Sequence, residues 1–167
     1  IDMAEDNSKT NTALEFCLLK ERDIGYSYDA ICELQPTYVF RGKKIIQESV
    51  AKFIEVKDKF NSLLTVNAIK STAHPHYACK IKENNEVIFG EEDPDNFNRQ
   101  EIPDYFSFHG MVNISKSDIF LKNKSLFNTP TYGFKINNTN QQWDINEIWD
   151  LEIARFIANN NPNILFL

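Results

Sequence analysis

Three polar side chains, Gln35, Thr37 and Arg41, crowd the segment Leu34-Gln35-Pro36-Thr37-Tyr38-Val39-Phe40-Arg41. Amide, hydroxyl and guanidinium groups together can hold sugar hydroxyls or an anion. The segment follows an apolar run, Tyr28–Leu34, and precedes a helical pattern, so these groups project near the carboxyl end of a strand. Open α/β sheets hold their ligands there. An ordinary strand-to-helix turn has the same local pattern. The pair His74-Pro75-His76 offers two imidazoles, but no third ligand or Cys lies within reach, so a turn explains it better than a metal. Asp144 stands before the last helical pattern, where a carboxylate can cap a helix.

Alternating elements must position these groups. Asp6 or Ser8 could cap a helix running to about Arg22, with Ala13, Leu14, Cys17 and Leu18 inward. A strand is expected near 29–35. Pro36, which cannot donate to a ladder, ends it. A helix follows near 42–57 with Ile46, Val50, Phe53 and Ile54 on its inner face. The mostly apolar Ser62–Ile69 reads as a strand covered on both faces. Tyr77–Ile81 and Glu86–Phe89 read as a hairpin, and the acidic stretch Gly90–Gln100 as a loop. A strand near Gly110–Ile114, a short helix at Lys116–Leu121, a strand near Tyr132–Ile136 and a helix from about Asn146 to Ala158 complete a layered α/β domain.

Composition narrows the function. The 167 residues are 42% apolar, enough for one domain with a sizeable core. A net charge of −6 argues against a nucleic-acid binder, which needs a basic stripe. No apolar run approaches the roughly twenty residues that span a bilayer. Cys17, Cys32 and Cys79, an odd and scattered set on apolar segments, fit buried inert thiols in a reducing, cytoplasmic compartment.

Three motifs in order resemble the acylneuraminate cytidylyltransferases, which activate sialic-acid-like sugars with CTP. The octamer Leu34–Arg41 is similar to their Leu-Gln-Pro-Thr-Ser-Pro-Leu-Arg stretch. Arg99-Gln100-Glu101-Ile102-Pro103, then Phe106 and His109-Gly110-Met111-Val112, resemble the Arg-Gln-Asp-Leu-Pro…Asn-Gly-Ala-Ile block. Asp144-Ile145-Asn146-Glu147-Ile148-Trp149-Asp150-Leu151-Glu152 resembles the Asp-Ile-Asp-Thr-x-x-Asp-Phe-Glu motif that opens the last helix. The resemblance runs from about Met3 to Ile157. It implies a Rossmann-like, three-layer domain of the nucleotide-diphospho-sugar transferase type, with a mixed, mostly parallel sheet. Residues 1–167 would be one such domain, N-terminally incomplete, with a small hairpin insertion for dimerisation at about 74–110. The family's Gly-rich basic loop, which cradles the triphosphate, has no counterpart here. Met3–Thr10 resembles a stretch that in the family lies well inside the chain. A piece lacking its first third is expected, roughly seventy to eighty residues.

The resemblance also implies roles. CMP would pass from CTP to an acidic nonulosonic sugar of sialic, legionaminic or pseudaminic type, releasing pyrophosphate. Gln35, Arg99, Gln100 and Asp144 would form the catalytic set. Gln35, Arg41, Arg99, Gln100 and His109 would contact substrate, with Arg99 on the sugar carboxylate and Arg41 on a phosphate or on the start of the helix. His109 stands where the family often has Asn, and fits a packed loop residue equally well. Ser8 and Thr10 match positions that contact cytosine. Mg²⁺ would be held by Asp144 and by Asn146, which replaces the second Asp of the pair; Asp150 could assist through a water. Relatives are homodimers, and Tyr77, Phe97, Tyr105, Phe106 and Phe108 would give the insertion an aromatic surface. Two alternatives stand beside this reading: a cytidylyltransferase for a deoxy-octulosonate, and a lapsed homologue that binds a sugar or partner without catalysis. The piece alone is expected to be inactive.

Overall fold

The computed structural model describes residues 8–69, 73–89, 103–137 and 139–164. In chain order these form α1 (Thr10–Asp23), β1 (Ala30–Glu33), α2 (Lys43–Val56), β2 (Ser62–Ala68), β3 (Cys79–Ile81), β4 (Val87–Phe89), β5 (Phe106–Lys116), α3 (Ser117–Asn123), β6 (Thr131–Lys135) and α4 (Ile148–Asn160). The main sheet has the order β1-β5-β2-β6. β5 is antiparallel to β1 and β2, whereas β2 and β6 are parallel. Three strands therefore point one way and β5 opposes them, which makes the sheet mixed and mostly parallel. The strands β3 and β4 pair with each other as a separate hairpin.

Residues paired across a sheet share a face. One face carries Leu63, Ile114 and Tyr132, and α2 covers it through Ile45 and Phe53. The other carries Ser62, Ser115, Leu64 and Asn113. Its serines are paired: Asn128 donates from Nδ2 to Ser115 Oγ at 3.0 Å and from its backbone to Ser62 Oγ at 3.2 Å. Asn113 Nδ2 donates to Glu33 Oε2 at 2.9 Å. α1 and α3 pack together and against β1.

Several expectations change. The inner face of α2 is Ile45, Ser49 and Phe53, while Val50 and Ile54 are exposed. Both stripes repeat at helical spacing; small Ser49, wholly buried, fits closely into the interior, and Tyr38 and Ile136 pack against the 45/53 side. β5 runs from Phe106 to Lys116, far beyond the expected 110–114, because β2 pairs with residues 106–109 and 113–115 and β1 with residues 113–116. α1 is preceded by Lys9 with no side-chain cap, so Ser8 is not its cap, and Asp6 lies outside the described residues. The three cysteines are free, but all are exposed rather than buried. α1 buries no residue fully, and β1 and β3 are edge strands.

Candidate active site at the elbow after β1

The pairing of β2 with β5 is irregular between Leu64 and Thr65, where the partner residue jumps from Asn113 to His109. Residues 110–112 are thereby released from β2, as a bulge does when it redirects a strand. Thr65, wholly buried, closes the gap: its hydroxyl donates to His109 O at 2.9 Å and accepts from Val112 N at 3.1 Å. The released backbone turns to the elbow. Gln35 N donates to Gly110 O at 3.1 Å. Arg41 Nη1 donates to Gln35 O at 2.8 Å and to Met111 O at 3.2 Å.

Arg41 thus fastens the elbow to β5. Both acceptors are backbone carbonyls, one in the elbow and one in β5, and neither lies at the start of α2. Burial lowers its guanidinium from the usual value.

The start of the last helical motif joins the same place. Tyr38 and Asp144 form an antiparallel bridge, and Ile145 N donates to Thr37 O at 3.1 Å. Tyr38 also lies against His109, with ring centroids 5.4 Å apart. Burial, then the Asp144 charge, raises the Tyr38 phenol to about 12. Burial lowers the His109 imidazole to about 4, against the opposing pull of Asp144. Groups displaced this far and packed against one another mark a functional-site candidate.

Three polar atoms here are buried without partners among the described residues: His109 Nδ1, His109 Nε2 and Asp144 Oδ1. Asp144 Oδ2 accepts from Asn146 Nδ2 at 3.1 Å. Asp144 does not cap α4. The capping box is built from Glu147 and Asp150, whose Oδ2 accepts from Asn146 N at 2.9 Å and Glu147 N at 2.8 Å. Asp150 is accordingly a helix cap, and α4 begins at Ile148 rather than 146.

The described residues therefore bring Gln35, Arg41, His109, Asp144 and Asn146 to one end of the sheet. Arg99, Gln100 and Phe97 lie outside the described residues. Ser8 and Thr10 sit at the start of α1. Tyr38 is the member that motif reading passed over. Its signal was present, since Tyr stands where the resembled octamer has Ser. The two histidines of 74–76 form a turn, as read: His74 Nδ1 accepts from His76 N, and its Nε2 meets Pro103 O at 3.0 Å. No cluster of three metal-ligating side chains occurs among the described residues. No described helix is long and apolar enough to cross a membrane.

No protein-family profile matches the chain, and no curated protein matches it significantly. Among solved structures it is similar to a CMP:2-keto-3-deoxy-manno-octonic acid synthetase complexed with CTP. The TM-score is 0.63 at 12% identity, over 93% of this chain and 70% of that one. The likeness establishes the fold: a mixed α/β domain of the nucleotide-diphospho-sugar transferase type.

Proposed function

We propose that this chain belongs to a cytidylyltransferase that transfers CMP from CTP to an acidic nonulosonic sugar. The observation that carries the reading is the Tyr38–Asp144 bridge, which sets the last-helix carboxylate beside the elbow that holds Gln35. The fold, shared with a CMP-sugar synthetase at low identity, supports the same chemistry. The sialic-type sugar rests on the short motifs around Gln35 and Arg99; a deoxy-octulosonate is the alternative acceptor.

In this reaction a sugar hydroxyl oxygen bonds to the α-phosphorus of CTP and gives up its proton to solvent. The bond from that phosphorus to the α,β-bridging oxygen breaks, and pyrophosphate leaves with the bridging oxygen and its electron pair. Positioning and neutralisation of charge dominate such transfers. Asp144 Oδ1, an unpartnered acceptor, fits a hard divalent cation. Asn146 fits less well, because its amide nitrogen faces Asp144 and its hydrogen bond orients the carboxylate. Bound Mg²⁺ would supply charge neutralisation at the phosphates, held on the protein side by Asp144. Gln35 and Gln100 would position sugar hydroxyls with their amides, and Arg99 would hold the sugar carboxylate. His109, packed on Tyr38, would shape the floor of the cleft. Ser8 and Thr10 are proposed to face the cytosine. Tyr77, Tyr105, Phe106 and Phe108 are exposed, as are Ile81, Val87, Ile88 and Phe89 of the hairpin. This apolar surface supports the proposed homodimer.

The orientation of Asn146 favours a second reading, a binding module that has lost efficient catalysis. The test is pyrophosphate release by the complete protein with CTP and Mg²⁺, against a panel of acidic eight- and nine-carbon sugars. Release with one of the nine-carbon acids is expected. Tight sugar binding without turnover would favour the lapsed reading, and neither activity would refute both.

A further inference from the structure

A cavity of about 490 Å³ opens between the first turns of α2 and the end of β6. Its wall includes Lys44, Ile45, Glu48, Lys135, Ile136 and Gln141, none of which belongs to the elbow set. Three observations bear on its occupant.

The first is the helix end. α2 is 14 residues long, Gly42 provides no side-chain cap, and its first turn holds no acidic residue. Lys43 and Lys44 occupy that turn instead. Cations there oppose the helix dipole, whereas an anion would satisfy both the free N–H groups and the lysines. The second is Gln141, which is 4% exposed and whose Nε2 has no acceptor among the described residues. The third is charge. Neither Lys44 nor Glu48 forms an ion pair with a described residue. Lys135 Nζ is set 4.5 Å from the Phe106 ring centroid. The Lys135 ammonium is thus engaged by a ring outside the cavity wall, and Lys44 is the unpaired cation in the wall beside the Glu48 carboxylate.

Ammonium and amide N–H groups only donate hydrogen bonds, so the fitting ligand is rich in acceptors. The space exceeds a bare anion and includes the apolar sides of Ile45 and Ile136. We infer that this cavity binds a small organic anion, through a carboxylate or phosphate group seated between the α2 N-terminus, Lys44 and Gln141. The inference does not depend on the cytidylyltransferase reading, since it uses none of that site's residues.

Calorimetric titration of the chain with sodium pyrophosphate, with N-acetylneuraminate and with neutral methyl glucoside tests it. At least one anion is expected to bind and the neutral sugar not to. Both anions also suit the proposed active site, so binding counts for this cavity where Lys44→Ala weakens it: pyrophosphate binding weakened in this way identifies a phosphate ligand, neuraminate binding a carboxylate one. Lys44→Ala, on an exposed position, should weaken binding about tenfold, the factor that one charge-assisted hydrogen bond carries. Glu48→Gln should tighten it by removing the opposing carboxylate. Gln141→Leu should weaken it, and Lys44→Ala keeps the test decisive if that buried change harms folding. Failure of both anions to bind, equal binding of the glucoside, or an affinity indifferent to Lys44→Ala would overturn the proposal.

Discussion

The side chain of Gln35 lies directly across Gly110: a Cβ at residue 110 would stand 1.9 Å from Gln35 Cδ and Oε1. The missing side chain is thus what leaves room for the amide of the elbow. Gly110→Ala must expel Gln35 from its place. Overpacking of this kind costs about 1–3 kcal/mol, and in Gln35→Ala/Gly110→Ala most of the loss should return. Urea denaturation of the two single variants and the double variant measures the coupling. Additive losses would show that the two residues do not share the space.

Arg41 holds two carbonyls of different segments, Gln35 O and Met111 O, with one nitrogen. A lysine ammonium ends short of the position that terminal nitrogen takes and is more strongly hydrated, so it is held less well in a partly buried place. Arg41→Lys should lower stability by about 1–3 kcal/mol, the range for leaving buried acceptors unpaired. A shift in the denaturation midpoint checks this; an unchanged midpoint would assign Arg41 to ligand rather than scaffold.

His109 makes stability depend on acid. Its folded value of about 4 lies below the ordinary 6.5, so between those limits the unfolded chain takes up a proton that the folded chain refuses. Stability should therefore fall as pH drops from about 6.5 to about 4 and level off below, by at most about 3 kcal/mol. His109→Gln should flatten that part of the pH profile of the urea midpoint. An equally steep profile in the variant would place the titration elsewhere.

Asp144 and Asp150, six residues apart, have separate duties. Asp150→Ala removes an acceptor from two backbone N–H groups at the start of α4 and should cost about 1 kcal/mol. Asp144→Ala should leave α4 helicity intact and instead weaken Mn²⁺ binding, read by paramagnetic line broadening. If Asp144→Ala unravels α4 in circular dichroism, the carboxylate is structural.

Local patterns determined much by themselves. Pro36 ends a strand wherever it is placed, because it lacks an N–H, and β1 does end just before it. The polar trio Glu83-Asn84-Asn85 turns the β3–β4 hairpin, with Asn85 at φ 64°, a conformation Asn tolerates. The order of helices and strands followed from such signals. Tertiary structure decided what depends on distant partners. Two apolar stripes on α2 satisfied the same period, and only packing against Tyr38 and Ile136 selected Ile45, Ser49 and Phe53. The release of residues 110–112 from β2 required Thr65, whose hydroxyl substitutes for a lost ladder bond. Likewise, Asp144 had equal claim to cap or cleft until Glu147 and Asp150 took the cap. Backbone punctuation acts within a few residues and is legible in order. Burial and hydrogen-bond partners are shared between segments far apart in sequence, and they exist only once the chain has closed on itself.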